Sequence, residues 1–164
     1  MTAAPKIVTI GVYGFDEAHF FAALQKAHVD TLCDVRKRRD VRGSEYTFAN
    51  SLRLQARLAE LGIRYIHRID LAPSDAGRQA QYDADKAARI PTRKRTQLCP
   101  AFIEAYKRER LAQFDPQSLL DEVPKDAKVI ALFCVEGVPT ACHRSLLAKK
   151  LATYLKTEVT NIVP

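Results

Sequence analysis

The run Lys128-Val129-Ile130-Ala131-Leu132-Phe133-Cys134 passes directly into Val135-Glu136-Gly137-Val138-Pro139-Thr140-Ala141-Cys142-His143-Arg144. The first seven residues are almost continuously apolar and rich in β-branched side chains. That pattern suits a strand covered on both faces, as in a parallel sheet, rather than a strand with one wet face. The polar turn that follows leads into a helix, with Thr140 as its expected cap and Leu155 near its end. A strand buried on both sides needs helices on both sides, so this one stretch already points to a layered α/β fold.

Working outward, the flanking sequence supplies the rest of that architecture. Lys6 to Val12 reads as a first strand, followed by a Gly14-Phe15 turn and a helix capped by Asp16 that carries Phe20, Phe21, Leu24 and His28. Val29 to Val35 is the second strand. A basic loop from Arg36 to Tyr46 precedes a helix from about Thr47 to Leu61, which buries Leu54 and Leu58 and stops at Gly62. Ile63 to His67 is a third strand. Residues 69–97 are the least regular part, with a partly helical excursion over 76–90. Cys99-Pro100 opens another helix, Pro116 to Val123 is a short one, and Glu158 to Val163 is an edge strand. The expectation is a single α/β domain over residues 1–164. It is a three-layer open sheet of about five mostly parallel strands with helices on both faces, in a Rossmann-like or flavodoxin-like arrangement.

Bulk properties narrow the function classes. A length of 164 residues suits one domain, and 47% apolar residues is enough for a packed core. No apolar run approaches the length of a membrane span, and Met1-Thr-Ala-Ala-Pro-Lys6 lacks a basic-then-apolar leader, which together point to the cytoplasm. The four cysteines, 33, 99, 134 and 142, form no CxxC pair and are expected as free thiols. The net charge of +7 favours polyanionic partners, nucleic acid or another phosphate-bearing anion among them, without excluding a merely soluble basic protein. Oligomeric state is not legible.

Open parallel sheets bind ligands beyond the carboxyl ends of their strands. That rule selects residues 11–15, 34–46, 67–75 and 134–144 before any residue is judged by its chemistry. The last segment packs Cys134, Glu136, Cys142, His143 and Arg144 into eleven residues, the last three of them expected in the first helical turn. A helix N-terminus favours anions and thiolates, and Arg144 adds a forked donor for phosphate. Asp34-Val35-Arg36 closes the second strand. Arg36, Arg38, Arg39 and Arg42, with Tyr46 and Phe48 beyond, form a basic cluster with aromatics, a pattern that neutralises phosphates and stacks on bases. A second cluster spans Arg89 to Arg95. Tyr13 and His67 fall at the remaining strand ends as pocket or structural residues.

Each feature also has a plain structural reading. Cys134 can be packing, Glu136 can simply pair an arginine, Asp34 and Arg36 can tie the loop, and the aromatics can belong to the core. No P-loop, dinucleotide fingerprint, C-x5-R loop or G-x-S-x-G elbow occurs, so no cofactor is expected. Adjacent Cys142-His143 is poor spacing for a structural metal site, so no metal is expected either.

Thr9-Ile-Gly11, Asp34-Val-Arg36, Phe48 with Leu54 and Leu58, Gly62-Ile-Arg-Tyr65-Ile-His67 and above all Cys134-Val-Glu136 with Cys142-His143-Arg144 resemble the domain of unknown function 488 family, over roughly residues 7–155. The resemblance implies a compact α/β fold and a pocket using Asp34, Arg36, Cys134, Glu136, Cys142, His143 and Arg144. It implies no reaction. The loop after Asp34-Val-Arg36 and the Leu71-Ala-Pro-Ser-Asp75 stretch depart from the family pattern, which points to a different ligand specificity.

The leading expectation is an enzyme acting on nucleic acid or a phosphate-bearing nucleotide. In it Asp34, Glu136, Cys142 and His143 are catalytic, and Arg36, Arg38, Arg39, Arg42, Arg144 and Tyr46 bind the substrate. A non-catalytic DNA- or RNA-binding module and an enzyme on a small anionic metabolite are the alternatives.

Overall fold

In the computed structural model, which describes residues 3–164, five strands form one sheet: β1 (Lys6–Ile10), β2 (Thr31–Asp34), β3 (Arg64–His67), β4 (Val129–Phe133) and β5 (Val159–Ile162). The order is β3-β2-β4-β1-β5, and every neighbouring pair is parallel. The strand read first in the sequence, β4, is therefore the centre of the sheet, and all five of its residues are buried.

Alternation along the strands divides the core into two layers. Ile7, Cys33, Ile130 and Leu132 face α4 (Pro100–Glu109), α5 (Pro116–Glu122) and α6 (Arg144–Leu155), through Phe102, Tyr106, Leu119, Leu147 and Leu151. Val8, Ile10, Leu32, Ala131 and Phe133 face α1 (Glu17–Lys26) and α2 (Ser51–Glu60), through Phe20, Phe21, Leu24, Leu54 and Leu58. The architecture is thus the expected open α/β sheet. No helix among the described residues is long and apolar enough to cross a membrane.

Asp16 caps α1 by accepting from the His19 amide, as its sequence position suggests. Three local differences bear on the site. Residues 69–97 are more regular than their composition suggests: α3 spans Asp75–Ala87, with Ser74 capping it through the Gly77 amide. The helix expected from Thr47 is broken at Asn50, where an extended backbone separates a 3-10 turn, Ser44–Ala49, from α2. There the Asn50 side chain accepts from the Val41 amide and so ties the basic loop. Thr140 does not cap α6. Its hydroxyl donates to the Thr96 carbonyl, Pro139–Ala141 form a 3-10 turn, and Cys142 is extended. The helix begins only at Arg144, so Cys142 and His143 stand just ahead of its first turn rather than within it.

Candidate functional site

The carboxyl ends of β1, β2 and β4 lie side by side, and the loop after β4 is pressed against β1. The amides of Val12 and Tyr13 both donate to the Val135 carbonyl, at 2.8 and 3.1 Å. The approach is so close that a Cβ on Gly11 would stand 1.9 Å from the Glu136 carbonyl oxygen, and one on Gly137 would stand 2.5 Å from that of Tyr13. Beneath this loop lies Arg144, fully buried, with one guanidinium nitrogen donating to the Glu136 carbonyl and another reaching that of Gly137. The expected phosphate ligand is therefore a buried clamp on the loop that bears Glu136, and it does not line the cleft above.

With the loop fixed, three donor atoms converge. His143 Nδ1 lies 3.7 Å from the Cys142 sulfur and 3.9 Å from the Cys134 sulfur, and the three atoms all fall within 4.8 Å of one another. Nε2 of His143 is 3.0 Å from the Val35 carbonyl, an acceptor that holds a proton on Nε2 and turns Nδ1 toward the sulfurs. The imidazole edge packs on Tyr106, which also belongs to the core. Glu136 closes the group, with its Oε2 3.8 Å from the Cys134 sulfur. The sequence spacing argued against metal ligation. The fold nevertheless brings together two thiols and an imidazole able to hold a soft divalent ion.

The electrostatics of the group are strongly coupled. Burial works against a Cys142 thiolate, but a hydrogen bond from Cys134 and the charges of His143 and Arg144 outweigh it and hold this thiol well below its usual range. Cys134, which donates that hydrogen bond and is itself buried, is pushed well above. Burial alone would lower His143, yet the Cys142 charge raises it. Together they describe a thiolate–imidazolium pair. Burial, then the neighbouring Cys142 charge, pushes Glu136 up to about 7 against the opposing pull of Arg95.

Arg95 is the residue that joins this floor to α3. It donates to Asp85 at 2.7 Å, to Glu136 at 3.0 Å and twice to the Ala141 carbonyl. Asp85 is held in turn by Gln81 at 2.8 Å, and Gln81 accepts from the Cys99 amide. Above the floor opens a cleft of about 500 Å³, lined by seven cationic side chains and only two acidic ones, Asp40 and Glu136.

Cys134, Glu136, Cys142, His143, Tyr13, Arg36, Arg38 and Arg42 line that cleft. Asp34 does not. Fully buried, it receives two hydrogen bonds from the Arg36 side chain at 2.9 and 2.8 Å and one from the Tyr65 hydroxyl at 2.7 Å. Its carboxylate is already engaged, so the geometry gives it a structural task, the loop-tying pair, rather than proton transfer. Arg36 also donates to the Ala49 carbonyl and stacks over Phe133, which leaves it 2% exposed. Arg39 turns away toward Tyr65, and His67 contacts the Arg36 carbonyl at 2.8 Å without reaching the cleft. Tyr46 sits behind Tyr13, 5.3 Å between rings, with Arg93 against both. Phe48 is core.

In the sequence Arg95 stands out only as the end of the basic cluster Arg89 to Arg95, and the α3 face does not stand out at all. One signal was present: Arg78, Gln81, Tyr82 and Asp85 fall at i, i+3, i+4 and i+7, a polar stripe at helical period. Polar stripes ordinarily mark a solvated face, so the pattern alone did not mark a wall.

A family model described as Domain of unknown function DUF488 matches residues 17–151, most of the chain, so the chain belongs to that family. No curated protein and no solved structure matches it.

Proposed function

We propose that this DUF488 protein is an enzyme acting on a nucleotide or nucleic acid, with Cys142 as its nucleophile. The observation that carries the reading is the Cys142 sulfur at the floor of a cationic cleft with the His143 imidazole 3.7 Å away. Nucleophilic thiols are made by a neighbouring imidazole and by nearby positive charge, and His143 and Arg144 supply them here. Of the expected phosphate ligands, Arg36 and Arg144 are buried, and Arg38 and Arg42 line the cleft. Arg38 and Arg42 on the cleft wall take the phosphate, while Asp34, Arg36 and Arg144 position the loops.

In the reaction so framed, the Cys142 thiolate attacks an electrophilic centre of the bound substrate. A sulfur–substrate bond forms as the bond to the leaving group breaks, and Glu136 supplies the proton the leaving group needs. Water then attacks the thio-adduct, Glu136 recovers a proton from it, and the thiolate departs. The carboxyl poised near 7 can fill both roles at neutral pH.

Screening the purified chain against nucleotides and short oligonucleotides, with intact-mass detection of an adduct, tests this. Turnover that disappears in Cys142→Ala and Glu136→Gln, together with an adduct seen only when Cys142 is present, is the expected result. Undiminished turnover in both variants overturns it. Salt-sensitive binding of nucleic acid with no turnover would instead favour the purely binding role that a charge of +7 supports.

A further inference from the structure

We infer that the cleft takes one nucleotide rather than a polymer, with the base against Tyr82 of α3 and the phosphate among Arg38, Arg42 and Arg78. This rests on the reading above and narrows its substrate class. Of the seven cations on the wall, four are engaged: Arg36 with Asp34, Lys37 with Asp75, Arg93 with Glu45, and Arg95 with Asp85 and Glu136. Among the described residues Arg38, Arg42 and Arg78 make no ion pair, so their charge is free for a ligand.

The remaining wall carries apolar side chains beside a few polar ones. Pro73, Leu98, Phe102 and Val135 also line it, and Tyr82 is 43% exposed, the most open aromatic lining the cleft. Its hydroxyl is anchored by Arg78 at 3.1 Å, which steadies the ring beside an unpaired guanidinium. Arg78 stands 6.0 Å from the Tyr82 ring centre, whereas Arg93 covers Tyr13 more closely, at 4.9 Å. A ligand matched to this wall has a flat apolar body and an anionic group within a short reach of each other. That is the chemistry of a nucleoside phosphate, since bases stack on aromatic side chains and phosphates pair with arginine.

The outline of the cleft decides between a monomer and a strand. Two contacts bridge it from α3 and the chain after it to the loop after β2: Lys37 with Asp75, and Arg93 with the Arg42 carbonyl at 3.0 Å. A strand crossing the cleft at either place would have to displace one of these contacts. A volume of about 500 Å³ lies within the usual small-molecule range of about 300–1,000 Å³.

Calorimetric titration of the wild-type chain with nucleoside monophosphates, ribose 5-phosphate, inorganic phosphate and a ten-residue single strand provides the test. The expected result is a mononucleotide bound about tenfold or more tightly than ribose 5-phosphate. Tyr82→Leu should abolish that preference, Tyr82→Phe should keep it, and Arg78→Gln should weaken all the phosphates alike. Equal affinity for nucleotide and ribose 5-phosphate, a preference that survives Tyr82→Leu, or a strand bound more tightly than its monomer overturns the inference. The readout is binding, so base-dependent affinity with an unreactive Cys142 sinks only the catalytic reading. An adduct at Cys142 from a phosphate ester that binds without base preference sinks only this one.

Discussion

Arg95 and Glu136, forty-one positions apart in the chain, meet at 3.0 Å, and through that contact α3 is tied to the floor of the cleft. The same arginine is fastened to Asp85 on its other side, with both side chains nearly sealed from solvent. A carboxyl so placed would ordinarily be held low by its cation. Here burial and the Cys142 charge win, and the group titrates at about 7.

The pH dependence follows from that value. The folded chain keeps the Glu136 proton between the ordinary 4.5 and about 7, where the unfolded chain has released it. The stability contributed by this group is therefore complete below 4.5 and is lost as pH rises through 7. Cys142, whose thiol is held low, contributes with the opposite sign, so the difference between proteins is the readout: between pH 5 and 8 wild type should lose melting temperature relative to Glu136→Gln. The groups that face Glu136, namely Cys134, Cys142, His143, Arg95 and Tyr13, remain in that variant. Parallel melting curves for the two proteins would refute the assignment.

Alkylation reads the thiolate directly. Because the Cys142 thiol is held well below its usual range, its thiolate persists as pH falls until that lowered value is crossed. Iodoacetamide labelling of Cys142, followed by peptide mass spectrometry, should fall off toward acid less steeply than labelling of an ordinary thiol. His143→Gln should restore a steep decline toward acid. Cys142→Ala should cost about 1 kcal/mol of stability, small beside its effect on turnover.

Asp34 is expected to act on stability rather than on the reaction. Asp34→Ala leaves the Arg36 guanidinium buried without its carboxylate, at a cost of about 3–5 kcal/mol. Tyr65→Phe, which removes only the 2.7 Å hydroxyl contact, should cost about 1 kcal/mol. Urea denaturation separates the two, and an Asp34→Ala protein as stable as wild type would contradict the buried pair.

Gly11→Ala tests the clamp. The new methyl would stand 1.9 Å from the Glu136 carbonyl oxygen and 3.2 Å from an Arg144 guanidinium nitrogen, so the loop after β4 must move. A loss of about 1–3 kcal/mol is expected, together with loss of selective Cys142 labelling, since the displaced loop carries the thiol. An alanine variant with wild-type melting and labelling would show that the loop tolerates the shift.

The fold was largely legible because its signals are short-range. The apolar run at Val129–Phe133, the Asp16 cap and the strand–helix alternation each depend on neighbours a few residues apart. They also located the edge where Cys134, Glu136, Cys142 and His143 gather, since parallel strands all end there. The partners of the charged side chains, near in sequence for Asp34 and distant for Arg95, are visible only in the fold. Asp34 and Arg144 carry the same chemistry whether they face a ligand or a buried partner, and the fold gives Asp34 the Arg36 guanidinium and Tyr65 hydroxyl and Arg144 the Glu136 carbonyl. Arg95 looked like one more surface cation until Asp85 and Glu136 closed around it. Residue type determines what a group can do. Desolvation and pairing determine what it is free to do, and those are properties of the folded chain alone.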